Sequence, residues 1–233
     1  MNMSLPVPTL MLVTDRHLAG GEDQLVEKVA QAVEAGVNVV QLREKDLPEA
    51  QLVRLADRLR GVIDGRALLI INGPHEVALD SGADGVHLPE GAPVIERHRR
   101  PDLSLAFGGL NESAARPELR GLFVGRSVHS LAAALRAQEE GADYLVAGPV
   151  YETWSHPSAA PTGLALISQI SGTVQVPVLG IGGIDAHRVA DVMRAGAAGV
   201  AVISAILGAA SPSAAARALR AALEAAAAGV VRS

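Results

Sequence analysis

Short apolar runs alternate with amphipathic segments along almost the whole chain. The apolar runs are rich in Val, Leu and Ile and have the length of β-strands. Several show no polar alternation, which is typical of parallel strands buried on both faces. Strands are therefore predicted at eight places: 9–14, 37–42, 67–72, 83–88, 122–127, 143–150, 178–181 and 199–203.

Helices are predicted between these strands from apolar spacings of three and four residues. The helical segments are 22–34, 48–62, a short one ending at Ser81-Gly82, 131–140, 164–170, one capped by Asp185, and 212–228. The pattern is unclear from 89 to 122, where 103–107 is either an extra strand or part of a longer excursion. Strands alternating with helices through right-handed crossovers predict a single (β/α)8 barrel over residues 1–233.

The segment 177–204 contains two strand ends rich in small residues. Gly182-Gly183 follows the seventh strand, and Ile203-Ser204 follows the eighth. In (β/α)8 barrels the loops after these two strands frequently form a phosphate site. Either glycine alone is better explained by a tight turn, but two such strand ends in consecutive units lead us to expect that backbone N–H groups of these four residues hold a phosphate.

Composition narrows the function classes. The chain has 233 residues, 49% of them hydrophobic and 2% aromatic, so aliphatic side chains must fill the core. A net charge of −5 and one short basic run at 97–100 argue against nucleic-acid binding. There is no cysteine for a disulfide or a thiolate metal site. The first residues lack a signal-peptide pattern, and Gly and Pro interrupt the uncharged segment 195–216, so we expect a cytoplasmic protein with no membrane span.

Polar residues at the strand ends are the candidates for an active site, because this fold places its active site there. Arg43 and Lys45 leave the second strand on one face, where two cations suit a phosphate or carboxylate. The alternative is that they form ion pairs with Glu44 or Asp46. The other candidates at strand ends are Gln41, Asn72, His87, Glu90, Ser127, His129, Thr153, Ser155 and His156.

The histidines suggest no metal centre. Seven of them are scattered singly, without the spacing of zinc ligands. His87 and His129 are expected to be hydrogen-bonded packing residues more often than catalysts. His156 lies in a loop long enough to cover the site, where it is an acid or base, a ligand contact, or simply exposed.

Segments spread over nearly the whole chain resemble one known family. They are LVTD at 12–15, VQLREKDL at 40–47, IIN at 70–72, ADGVHL at 83–88, GRSVHS at 125–130, GADYLVAGPVYET at 141–153, and IGGI and GVAVIS within 177–204. On these motifs the chain is identified as a member of the family of thiamine-phosphate synthase and its relative, the thiazole tautomerase TenI.

The resemblance to the synthases implies a reaction in which diphosphate leaves a pyrimidine methyl group and a thiazole phosphate nitrogen captures the resulting cation. Mg²⁺ supports that reaction and needs carboxylate ligands. This sequence departs from the synthases at three places: Gly73 and Ala92 stand where they carry aspartates, and His156 stands where they carry a lysine. These departures favour the TenI branch.

The resemblance to TenI, seen in Asn72-Gly73, GRSVHS and Glu152, implies an isomerase that aromatises carboxythiazole phosphate without a cofactor. Pro149 replaces the histidine associated with that proton shift. The predicted catalytic residues are then His129 and His156, as acid or base, and Lys45, which with Arg43 receives the carboxylate. Gln41, Asn72, Ser127, Thr153 and Ser155 line the pocket, and Gly182, Gly183, Ile203 and Ser204 hold the phosphate.

Two alternatives stay open. The first is a thiamine-phosphate synthase with an altered metal site, which would use Mg²⁺. The second is a non-catalytic protein that binds thiazole phosphate or thiamine phosphate. In each case the expected partner is a small phosphorylated molecule, with neither nucleic acid nor membrane, and the family makes a homodimer plausible.

Overall fold

Eight parallel strands pair in sequence order and close between the first and the last. The computed structural model describes residues 5–93, 122–152 and 161–230. The strands are β1 (Thr9–Val13), β2 (Val39–Leu42), β3 (Leu68–Ile71), β4 (Gly85–Leu88), β5 (Phe123–Val128), β6 (Tyr144–Ala147), β7 (Val178–Ile181) and β8 (Gly199–Val202). Their order in the closed sheet confirms the predicted (β/α)8 barrel.

The helices of the described residues surround this sheet. They are α1 (Arg16–Ala19), α2 (Glu22–Glu34), α3 (Glu49–Ile63), α4 (His75–Asp80), α5 (Leu131–Glu139), α6 (Gly163–Ser171), α7 (Val189–Arg194), α8 (Ser204–Leu207) and α9 (Pro212–Val230). None of them is long and apolar enough to cross a membrane.

Alternate residues of each strand serve two separate cores, which explains why the strands are apolar without a break. In β1, Met11 and Val13 point into the barrel, whereas Leu10 and Leu12 pack against the helices together with Leu25 of α2. The inner core also contains Val39, Ile70, Phe123, Tyr144, Val146, Leu179 and Ala201. The inner faces of the strands therefore form the floor under the C-terminal rim.

The structure differs from the sequence prediction in its short elements. The four-residue helices α1 and α8 were not predicted. Asp185 does not cap a long helix: its carboxylate accepts the N–H groups of His187 and Arg188 in a turn, at 3.0 and 3.1 Å, and α7 begins only at Val189. The predicted ambiguity at 103–107 lies outside the described residues.

Ser130 caps α5, and its loss is expected to cost a modest amount of stability. Its Oγ accepts the backbone N–H of Ala133 at 3.1 Å. Ser130→Ala leaves that N–H without its capping partner and should lower the free energy of unfolding by about 1 kcal/mol. Urea denaturation measures the change. Ser168→Ala, at an exposed position inside α6, is the matched control and should cause no loss; equal losses in both variants would contradict the capping role.

Candidate active site

A cavity of about 610 Å³ opens at the C-terminal ends of the strands. The structure brings most of the predicted site residues to its walls: Gln41, Arg43, Lys45, Asn72, Ser127, His129, Gly182, Gly183, Ile203 and Ser204. His87 and Glu90 line it as well. Thr153, Ser155 and His156 lie outside the described residues, so their predicted roles stay predictions.

The two glycines after β7 adopt a backbone that other residues rarely tolerate. Their φ angles are 102° at Gly182 and 63° at Gly183. A Cβ at Gly183 would collide with the carbonyl oxygen of Glu152. Within the described part of the chain, the N–H groups of Gly182, Gly183, Ile203 and Ser204 donate to no acceptor. These four donors therefore lie at the cavity wall in a form that suits an anion.

Arg43 and Lys45 do not form the ion pairs that were the alternative reading of their sequence. The carboxylate of Glu44 instead accepts from Arg16, with Arg16 Nη1 to Glu44 Oε2 at 3.1 Å. Asp46 is held at 2.6 Å by the same guanidinium and at 3.1 Å by His17. Among the described residues, neither Arg43 nor Lys45 has an acidic partner.

Local geometry directs these two cations over the cavity. Val39 and Gln41 occupy the inner face of β2, so Arg43 and Lys45 continue that face beyond the strand end. The N–H of Arg43 donates to Thr14 Oγ1 at 2.9 Å, which ties the end of β2 to β1. The charge of Arg43 lowers the pKa of Lys45, with burial as the second cause. An anion bound between them would relieve this repulsion.

His87 lies on the cavity floor as a buried, hydrogen-bonded residue, as its sequence context favoured. Its Nδ1 lies 3.2 Å from Tyr144 Oη, and its Nε2 lies 2.9 Å from Ser127 Oγ. Burial lowers its pKa to about 3, helped by the charges of Arg43 and Arg126. The ring is therefore neutral at pH 7.

Burial of neutral His87 makes stability depend on pH. Below about pH 6.5 the unfolded chain binds a proton at this ring and the folded chain does not, until pH falls to about 3. Stability is therefore complete above pH 6.5 and is lost as pH falls, by about 1.4 kcal/mol per pH unit. Urea denaturation at pH 7, 5 and 4 should show this extra slope in the wild type and not in His87→Gln. Equal slopes in the two proteins would contradict the assignment.

His129 is more exposed than a packing residue, with 57% of its side chain accessible. Its Nδ1 lies 2.7 Å from Glu90 Oε2, and the same oxygen accepts its backbone N–H at 2.8 Å. The pair joins the loops after β4 and β5 across the cavity rim. Glu90 is thus already engaged by two donors of His129.

The described residues offer only separate carboxylates to a metal ion. They contain no group of three or more His, Asp or Glu side chains that could hold a metal ion. The cavity carboxylates are Glu90, which is bound to His129, Asp185, which caps a turn, and Glu152. Gly73 and Ala92 supply no oxygen ligand from a side chain.

Arg188 is a cavity residue that sequence reasoning missed. Its Nη1 donates to the carbonyl of Gly183 at 2.5 Å, and its guanidinium lies 4.6 Å from the centre of the Tyr151 ring. This hydrogen bond ties Arg188 to the glycine turn at the cavity wall. Its place in the turn after Gly182-Gly183 was the available signal, but the predicted long helix obscured that turn.

A closed (β/α)8 barrel with a cation-bearing cavity at the C-terminal ends of its strands belongs to the class of barrels whose enzymes carry their active sites at that face. Comparison with known proteins narrows the class. The family model described as thiamine monophosphate synthase matches residues 10–206. The chain belongs to that family, and the predicted resemblance is confirmed.

Individual relatives agree with the family. A thiamine-phosphate synthase of Methanoculleus marisnigri is 41% identical over 214 residues, 91% of this chain and 93% of the relative. One from Roseiflexus sp. is 40% identical over 223 residues, covering 93% and 87%. A solved thiamine phosphate pyrophosphorylase from Pyrococcus furiosus superposes with a TM-score of 0.74 at 32% identity, covering 94% of this chain and 96% of that one.

These relatives overturn the prediction that the protein is an isomerase and that synthase activity is the less favoured alternative. All three carry the name of a synthase or pyrophosphorylase. The prediction was wrong because three substituted positions, Gly73, Ala92 and His156, were given more weight than the similarity along the rest of the chain. The relatives therefore support neither the assignment to the TenI branch nor the tautomerase activity.

Proposed function

We propose that this protein is a thiamine-phosphate synthase with an altered metal site. It would join a pyrimidine diphosphate to a thiazole phosphate and release diphosphate. The similarity to synthases over about nine-tenths of the chain supports the reaction class. The arrangement of anion-binding groups on the cavity supports the proposal that both substrates are phosphorylated.

The single observation that carries the proposal is the presence of two separate anion-binding features on one cavity. The N–H groups of Gly182, Gly183 and Ser204, which have no acceptor among the described residues, suit the phosphate of one substrate. Arg43 and Lys45, which follow the end of β2, suit the diphosphate of the other. A cavity of about 610 Å³ is in the size range of small-molecule sites and has room for both rings between these features.

In the proposed reaction the thiazole nitrogen forms a bond to the pyrimidine methylene carbon. The bond from that carbon to the diphosphate oxygen breaks, and its electron pair leaves with the diphosphate. Arg43 and Lys45 stabilise the negative charge that grows on the leaving group. Val13, Val146, Ile181 and Ala201 line the cavity with apolar surface that keeps water from the carbocation.

The proposed reaction is described without the Mg²⁺ ion that the resemblance to the synthases implies. Because the described residues contain no cluster of three or more metal-ligating side chains, the proposed reaction contains no step on a metal. The coupling also moves no proton, since the thiazole nitrogen attacks through its lone pair. We therefore propose no acid or base role for His129 or His156 in this reaction.

A coupling assay tests the proposal. The protein is incubated with pyrimidine diphosphate and thiazole phosphate, once with Mg²⁺ and once with EDTA, and both thiamine phosphate and released diphosphate are measured. We expect the two products in equal amounts in at least one condition. Binding of thiazole phosphate without product in either condition would contradict synthase activity and favour the non-catalytic binding protein.

A further inference from the structure

A short chain of side-chain hydrogen bonds lies in the barrel interior beneath the cavity. Its members are Tyr144 on β6, His87 on β4 and Ser127 on β5. Tyr144 Oη lies 3.2 Å from His87 Nδ1, and His87 Nε2 lies 2.9 Å from Ser127 Oγ. The chain ends at Ser127, which lies on β5 and lines the cavity.

The chemistry of Tyr144 gives this chain a direction. Complete burial raises the pKa of the phenol well above its usual range, so the group stays protonated and has one proton to donate. Nδ1 of His87 is the hydrogen-bond partner of this phenol, at 3.2 Å. A completely buried phenol proton without an acceptor would cost free energy, so the proton of Tyr144 is directed at Nδ1 of His87.

His87 extends this donor-to-acceptor direction from Tyr144 to Ser127. A neutral imidazole has one N–H and one acceptor nitrogen. If Nδ1 accepts from Tyr144, the ring proton must be on Nε2, from which it points to Ser127 Oγ. The hydroxyl proton of Ser127 then has no acceptor among the described residues.

We propose that His87 and Tyr144 are positioning residues, which act through this chain to make Ser127 present its hydroxyl proton, rather than a lone pair, to a ligand in the cavity. The ligand group next to Ser127 is then a hydrogen-bond acceptor, such as a ring nitrogen or an oxygen. The inference concerns the protein alone and goes beyond the proposed reaction. Only the affinity measurement below rests on that function.

The ring tautomer tests the inference directly. Long-range proton–nitrogen spectra of protein labelled at the histidine ring nitrogens, recorded at pH 7, should show His87 protonated at Nε2. His87→Gln removes the signal and assigns it among the seven histidines. A ring protonated at Nδ1 in the wild type would overturn the inference, whatever any variant does.

Substitution of the two tyrosines tests the source of the direction. Tyr144→Phe keeps the ring and removes the donor to Nδ1, so we expect a smaller fraction of His87 protonated at Nε2. Tyr151→Phe removes the other phenol of the chain, which stacks under Arg188 and does not line the cavity, and should leave the tautomer unchanged. Identical tautomer fractions in folded Tyr144→Phe and wild type would contradict the role of Tyr144.

Affinity for thiamine phosphate, the product of the proposed reaction, separates positioning from mere packing. Calorimetry should show binding weakened roughly fivefold by Tyr144→Phe and by Ser127→Ala, as expected for one neutral hydrogen bond. Because Tyr144 acts through Ser127, the double variant should bind no more weakly than Ser127→Ala. Fully additive losses would count against the inference. No binding by the wild type would count against the synthase proposal, while the tautomer still decides this one.

Discussion

Arg43→Met is expected to reduce the rate of thiamine phosphate formation by about 100- to 1,000-fold, the loss seen when one preorganised donor to a developing negative charge is removed. Methionine keeps an unbranched, flexible stem and removes the charge. Arg43 has no acidic partner among the described residues. Its loss therefore leaves no carboxylate uncompensated, and stability should change little. The coupling assay and a urea denaturation curve measure the two effects.

Arg58→Met is the matched control for Arg43→Met. Arg58 is an arginine of α3 with 42% of its side chain exposed, and it pairs with Glu22 and Asp23 at the surface. We expect its rate to stay within about twofold of the wild type, since surface ion pairs contribute 0–1 kcal/mol. A full rate in Arg43→Met would show that the leaving diphosphate is held elsewhere, and would remove the main support for the proposed geometry.

The fold was accessible to sequence reasoning because its signal is repeated. Each strand is a short aliphatic run, and the strand 178–181 was predicted with the bounds that the structure has. Barrel strands supply two cores at once, so the absence of alternation in 9–14 or 37–42 was itself informative. Four-residue helices such as α1 and α8 escape this kind of prediction because they are too short for any periodicity.

Only those site residues that a strand end places at the cavity could be predicted from the sequence. Residues such as Gln41, Ser127 and Gly183 reach the cavity because the strand or turn that bears them must end there. Pairing between loops left no such signal: the capture of Glu44 by Arg16 and of Glu90 by His129 depends on how separate loops meet. The sequence could show that Arg43 had acidic neighbours, but not that Arg16 would form the ion pairs with them.

The weight given to single substitutions explains the error about the reaction. In the proposed synthase the altered positions at Gly73 and Ala92 bear on metal binding alone, whereas Arg43, Lys45 and the four backbone N–H donors at the cavity wall bear on the two substrates. A carbocation reaction depends mainly on holding the leaving group and excluding water. On this proposal the loss of a metal ion removes one source of positive charge but leaves Arg43 and Lys45 over the same cavity, so it is a change within the proposed reaction class.

Gly183→Ala is expected to weaken thiazole phosphate binding by about 100-fold, which is the loss of two hydrogen bonds to a charged group at about 1.5 kcal/mol each. Gly183 has a φ of 63°, and an added Cβ would collide with the Glu152 carbonyl oxygen. The turn must shift to relieve that collision. A shifted turn moves the N–H groups of Gly182 and Gly183 away from the phosphate. Calorimetric titration with thiazole phosphate measures the effect.

Gly65→Ala separates this collision from backbone strain. Gly65 has a φ of 70°, nearly that of Gly183, but nothing lies within 4 Å of its added Cβ. Both variants should lose about 1 kcal/mol of stability from a left-handed alanine, and only Gly183→Ala should lose affinity. Equal affinities in the two variants would mean that the phosphate does not depend on the turn after β7. The arrangement of anion sites on the cavity would then have to be redrawn around Ile203, Ser204 and the two cations.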